Sequence, residues 1–232
     1  ERCRHAVVPG SHHREPEPHP ANAGVDAHDR ESFGAMPRHV QIPLFQPYPP
    51  ATGTGEPRYL FFALRPDAEA GQRIRDLAMR LRDTHGLEGK ITDPEQLHMT
   101  LCFLGSVSKL PPDAVPAADA AARMLQVEPF PLAFDRVKSF PGSNAFVLCR
   151  EDDCLPLVQL RNRLLVALAR SGRFRPERRE FRAHVTLMHD PKLVGLHEVE
   201  PVGWTVRELL LLRSHHGLSP YQVLGRYPFE PK

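Results

Sequence analysis

The sequence predicts an α+β fold of two lobes, each a sheet with an outer helix, in pseudo-twofold arrangement around a central cleft. Three observations carry that expectation. From Arg58 onward, short apolar runs alternate with stretches of helical periodicity. The tetrapeptide His98-Met99-Thr100-Leu101 returns as His184-Val185-Thr186-Leu187. An apolar strand precedes each copy at the same interval, Leu60 before His98 and Phe146 before His184, with a helix between. A motif repeated with its strand and helix attached reads as an internal duplication, each helix packed on a sheet.

Tyr59-Leu60-Phe61-Phe62-Ala63-Leu64 is a buried strand, and Pro66-Asp67 opens a helix running to His85-Gly86. Within that helix Ile74, Leu77, Ala78 and Leu81 recur at three- and four-residue steps and form its apolar stripe. Leu97 to Leu104 is the next strand, ended by Gly105. A helix over Asp113 to Leu125 and a strand from Phe130 to Val137 follow. The pattern then restarts. Phe146 to Cys149 is a strand, and Leu155 to Ala169 a helix with Leu157, Leu160, Leu164 and Leu168 inward. Ala183 to Met188 is the strand of the second motif. Two strands, Gly203 to Ser214 and Tyr221 to Tyr227, close the chain around a turn at Gly217-Leu218-Ser219-Pro220.

Residues 1–56 are expected to be a disordered or artefactual tail, with residues 57–232 as the folded domain. The tail holds six of the 13 histidines, many prolines and almost no periodic apolar pattern. Met36 stands just before more ordinary sequence, so part of residues 1–35 reads as an upstream translation or cloning artefact. Irregular spacing argues against a metal site there.

Elsewhere, 41% hydrophobic residues suffice for a core, and a formal charge of +2 excludes an indiscriminate polycation. Cys3, Cys102, Cys149 and Cys154 have no paired zinc spacing. Cys102 and Cys149 lie in apolar runs as buried thiols, which points to a reducing cytoplasm. Leu209 to Leu212 is far too short to cross a bilayer, and the N-terminus lacks the apolar core of a secretory signal. The expectation is a cytoplasmic monomer with no membrane contact.

The chemistry lies in the repeated motif. Residues two apart on a strand share a face, so His98 and Thr100 point one way and Leu97, Met99, Leu101 and Phe103 the other. His184 and Thr186 likewise oppose Ala183, Val185 and Leu187. Twofold symmetry would gather the four polar side chains around one ligand in the cleft. In-line displacement at phosphorus needs a base on one side and an acid on the other, and histidine serves either role near neutrality. Threonine hydroxyls can donate to non-bridging phosphate oxygens. A single His satisfied by a nearby Thr is an ordinary core feature; the matched pair is what favours catalysis.

On these residues the chain resembles the two-histidine (2H) phosphoesterase superfamily, in its RNA 2′,3′-cyclic phosphodiesterase or 2′-5′ RNA ligase branch. The resemblance covers about residues 58–229: the strand Leu60 to Leu64, the segments Leu97 to Gly105 and Phe181 to Leu187, and a tail from Trp204 to Phe229. It implies that His98 is the proton donor to the leaving oxygen and His184 the proton acceptor that activates water. It implies phosphate binding by Thr100 and Thr186, with no metal and no cofactor. The implied substrate is RNA with a 2′,3′-cyclic phosphate end or a related nucleotide, opened to a 2′-phosphomonoester, with 2′-5′ joining as the reverse reaction. One departure is His189, where the family often carries Arg or Lys; an imidazole stabilises phosphate less than a guanidinium does.

The remaining candidates are weaker. Arg170, Arg173, Arg175, Arg178, Arg179 and Arg182 either guide an RNA backbone or form a solvated loop balanced by Glu177 and Glu180. Arg182 falls on the face of His184 and is taken as an RNA or phosphate contact, as is His189. Phe140 reads as a packed turn residue, Trp204 as core, and His215-His216 as pointing to opposite faces and therefore not a metal pair. Two alternatives stay open: action on another 2′-linked nucleotide, and an RNA-binding module that has lost turnover.

Overall fold

The computed structural model describes residues 59–174, 181–215 and 218–231. The expected tail and its boundary with the domain lie outside these residues, as do Arg175, Arg178, Arg179 and His216. In chain order the main elements are β1 (Tyr59–Leu64), α1 (Ala68–His85), β2 (Met99–Ser106), α2 (Ala114–Arg123), β3 (Phe130–Phe140), β4 (Ala145–Cys149), α3 (Leu155–Arg170), β5 (His184–His189), β6 (His197–Val206), β7 (Glu208–His215) and β8 (Leu218–Pro228). No helix among the described residues is long and apolar enough to cross a membrane.

The strands form two four-stranded antiparallel sheets, ordered β2-β1-β7-β8 and β5-β4-β3-β6. The two are laid out alike. Each motif strand is an edge strand and pairs with the apolar strand that precedes it in sequence, β2 with β1 and β5 with β4. This arrangement is the α+β architecture expected from the repeat.

Local sequence explains the helix bounds. The Asp67 carboxylate accepts from the Ala70 N–H at 2.8 Å and caps the start of α1. Gly86 ends it in the left-handed region, at φ 58°, where a glycine carries no Cβ penalty. The stripe Ile74, Leu77, Ala78 and Leu81 is buried as its spacing required. α1 runs closest to β5 and β6, in the sheet opposite its own preceding strand, and α3 lies against β2 and α2. The helices therefore tie the two sheets together. One buried cluster runs through both, including Phe62, Leu64 and Met99 from the first sheet and Phe134, Phe146 and Val185 from the second. The other face of each sheet carries a small cluster of its own: Tyr59, Phe61, Ala63, Leu210 and Leu212 on one, Phe140, Ala145, Val147 and Cys149 on the other.

Two expectations need correction. The single strand expected from Gly203 to Ser214 is two strands broken at Arg207: β6 pairs with β3, and β7 with β1 and β8. Apolar alternation continues through the break, so the pattern alone does not show the chain leaving one sheet for the other. The second concerns Phe103, placed by alternation with Met99 and Leu101 on the core side. It is 40% exposed and packs on Tyr59, with ring centroids 5.6 Å apart. The cause is a bulge: Ala63 pairs with Thr100 but Phe62 with Cys102, which leaves Leu101 extra and inverts the alternation beyond it. Trp204 is core and stacks on Phe134, and Cys102 and Cys149 are buried free thiols, as expected.

Candidate active site

The two motif histidines are held in the same way. His98 Nδ1 lies 2.8 Å from the Gln96 carbonyl oxygen, and His184 Nδ1 lies 2.7 Å from that of Arg182. A carbonyl only accepts, so in each ring Nδ1 carries the proton and Nε2 is the nitrogen left for chemistry. Aromatic neighbours fix the ring planes. His98 lies 5.3 Å from Phe61 and 4.9 Å, edge-on, from Tyr221; His184 meets Phe140 edge-on at 5.0 Å. The packed role expected for Phe140 is thus directed at a motif histidine.

The motif strands β2 and β5 contact each other across the seam between the sheets, and His184, when protonated, lowers the proton affinity of His98. Thr100 pairs with Ala63 and Thr186 with Val147, two residues of the small cleft-face clusters, so both threonines face the same side as the histidines. Both are half-buried, and neither hydroxyl is hydrogen-bonded among the described residues. A second bulge at Leu187 mirrors the one at Leu101: Val147 pairs with Thr186, but Phe146 with Met188. It returns His189 to the cleft face, opposite Ala145. His189 and Phe103 therefore hold equivalent places, each three residues beyond a motif threonine. The exposed His189 ring donates from Nδ1 to the Ser143 carbonyl at 3.3 Å.

Arg182 is exposed and lines a cavity of about 310 Å³ together with Lys138, Phe140, Cys149, Phe181 and Ala183, against the strand end that carries His184. That volume is at the lower end of the range for small-molecule sites. Of the other arginines in the expected basic loop, Arg173 pairs with Asp113 at 2.8 Å.

Burial and neighbouring cations set the protonation of the site. Burial first, then the charges of Arg65 and His184, push the His98 pKa down to about 4, against the opposing pull of the Gln96 carbonyl. Burial and the Lys138 ammonium also hold His184 below its ordinary value, against the Arg182 carbonyl. At neutral pH both rings are neutral in the free protein. Arg65, Lys138, Phe61 and Tyr221 escaped the sequence reading. Arg65 had a signal, since the alternation Tyr59, Phe61, Ala63 continues to it; Lys138 lies on a strand that the motif does not include.

The approach to His98 is bonded to the strand of His184. The Glu88 and Gly89 N–H groups donate to the Asp190 carboxylate at 2.6 and 2.7 Å, and the Lys192 N–H donates to it at 2.8 Å. Ile91 bridges to Met188, and the Thr92 N–H reaches the Leu187 carbonyl at 2.8 Å. These contacts set one motif against the other.

Paired His-x-Thr edge strands on two matched antiparallel sheets define the two-histidine phosphoesterase class. Residues 65–218 match the 2′-5′ RNA ligase superfamily, and the chain belongs to that family. It is 34% identical over 137 residues to an RNA 2′,3′-cyclic phosphodiesterase of Escherichia coli K12, covering 58% of this chain and 73% of that protein. A protein of the same description from Archaeoglobus fulgidus is 28% identical over 130 residues, covering 55% and 70% respectively. Among solved structures, E. coli LigT complexed with 3′-AMP aligns with TM-score 0.62 and 28% identity, over 76% of this chain and all of that one.

Proposed function

We propose that the protein is an RNA 2′,3′-cyclic phosphodiesterase that opens cyclic phosphate ends to 2′-phosphomonoesters. The observation that carries the reading is the pair of equivalent histidines, each with Nδ1 tied to the carbonyl two residues before it, so that Nε2 is the nitrogen to act on a substrate. The names of the two relatives support the substrate class, and LigT has been crystallised with phosphate as well as with 3′-AMP.

In this reading water attacks phosphorus and gives its proton to His184 Nε2, while the bond from phosphorus to the 3′-oxygen breaks. His98 Nε2 supplies the proton to that leaving oxygen. The Thr100 and Thr186 hydroxyls, otherwise unbonded, donate to the non-bridging oxygens as charge builds on them. Arg182 and His189 contact the RNA or its phosphate. Two histidines complete both proton transfers, so the step runs without a metal; exchanging their roles gives 2′-5′ joining.

The test is turnover, in EDTA, of a short RNA ending in a 2′,3′-cyclic phosphate. A product with a 2′-phosphate and a free 3′-hydroxyl is expected. A 3′-phosphate product, or binding without turnover, would overturn the reading and favour a different 2′-linked substrate or a binding module.

The depressed histidines give a pH prediction. His98 must be protonated to act as acid, and in the free enzyme its affinity for protons is low. Hence kcat/KM, which reports the free enzyme, is expected to fall with rising pH along a limb below pH 6.5. Bound phosphate favours imidazolium, so the corresponding limb of kcat is expected at higher pH. Matched pH profiles of the two constants check this; coincident limbs at or above 6.5 would count against it.

A further inference from the structure

We propose that Arg65 grips the substrate's reacting phosphate at the His98 end of the cleft, an assignment that rests on the phosphodiesterase reading. The placement follows from the sheet. Tyr59, Phe61 and Ala63 lie on the cleft face of β1, and alternation puts Arg65 on that face too. The ladder ends with Ala63 paired to Thr100 and Leu64 to Met99, so Arg65 and His98 are the next residues on either side of it, and the charge of Arg65 acts on His98. On its other side Ala63 pairs with Leu210, which sets Arg65 opposite Glu208.

That carboxylate is already engaged, held by Arg226 at 2.7 Å. Arg65 Nε and Nη2 are buried and have no hydrogen-bond partner among the described residues. A half-buried guanidinium with two nitrogens out of water and given no acceptor is costly unless an anion completes it, and its planar fork suits two phosphate oxygens. The threonine donors are neutral and His189 brings no permanent charge; the fixed cations acting on the two histidines are Arg65 on His98 and Lys138 on His184. Arg65 also has a role in proton supply. After burial, its charge helps to keep His98 neutral in the empty site, and a phosphate laid across it offsets that charge and makes it easier for His98 to take up the proton it must donate.

The test compares wild type with Arg65→Gln and Arg65→Lys. It measures calorimetric binding of inorganic phosphate, the melting temperature, and turnover of both a nucleoside 2′,3′-cyclic phosphate and a cyclic-phosphate oligonucleotide. R65Q is expected to lose at least about tenfold in phosphate affinity while melting no lower than wild type, because the side chain satisfies no partner in the fold. Both substrates should lose kcat/KM alike, with R65K intermediate. Phosphate affinity within twofold of wild type would overturn the proposal, and so would a marked fall in melting temperature, which would reveal a structural role. A defect confined to the oligonucleotide would overturn it too, by moving Arg65 to a neighbouring phosphate. Phosphate binding lost in R65Q while wild type fails to open any cyclic phosphate would uphold Arg65 as the phosphate residue and reject the substrate reading alone.

Discussion

His98→Ala and His184→Ala are each expected to lower kcat on a cyclic phosphate end by about 10²- to 10⁴-fold, with KM changed far less. That range is the usual contribution of a positioned general acid or base. It applies here because each ring is oriented before substrate arrives: Nδ1 is bonded to a carbonyl and the ring plane is set by Phe61 and Tyr221, or by Phe140. The double variant should lose much less than the product of the single losses, because acid and base serve one step and the residual rate comes from phosphate binding. Steady-state rates at several pH values, with RNA binding measured on the same variants, decide the matter. Turnover within tenfold of wild type in either single variant, with binding intact, would remove that histidine from the chemistry.

How far such a site is legible in a sequence depends on which interactions are local. The strand–helix–strand unit around each motif was legible because alternation and helical spacing are properties of a few neighbouring residues. His98 with Thr100, and His184 with Thr186, fell on one face by the same rule. The rule failed at Phe103, because a bulge at Leu101 depends on what β1 offers opposite it and not on β2 itself. It failed at Arg207 for a related reason: Trp204 and Leu209 are both buried, but in different sheets, and only pairing partners reveal the exchange. Lys138 was invisible as a site residue because it comes from β3, which β4 separates from the motif strand β5, and Arg65 was signalled only by the alternation of β1. The crossing of α1 onto β5 and β6 is a property of the assembled core, to which both sheets contribute.

The segment before His98 supplies the second large effect, and it comes from a residue with no functional group. Gly89 passes so close to β5 that a Cβ there would stand 2.3 Å from the His189 carbonyl oxygen and 3.1 Å from its carbon. Neither neighbour is the flexible end of a side chain, so Gly89→Ala must push the segment off the strand by about 1 Å. The move strains the two N–H bonds to Asp190, the Ile91–Met188 bridge and the Thr92–Leu187 bond at once. Overpacking against backbone is expected to cost on the order of 3 kcal/mol. In a domain of this size that lowers Tm by about 10 °C. The same displacement carries His98 out of register with His184, and misplacement by about 1 Å can cost some 10²-fold in rate. Gly89→Ala should therefore lose both stability and kcat, although glycine has no side chain to take part in the proposed reaction. Lys90→Ala is the control, since that side chain is exposed and makes only a 3.8 Å ion pair with Asp93. If Gly89→Ala melted with wild type and kept its kcat, the contact with β5 would not be what aligns the two histidines. Their register would then have to come from the helices that tie the sheets together.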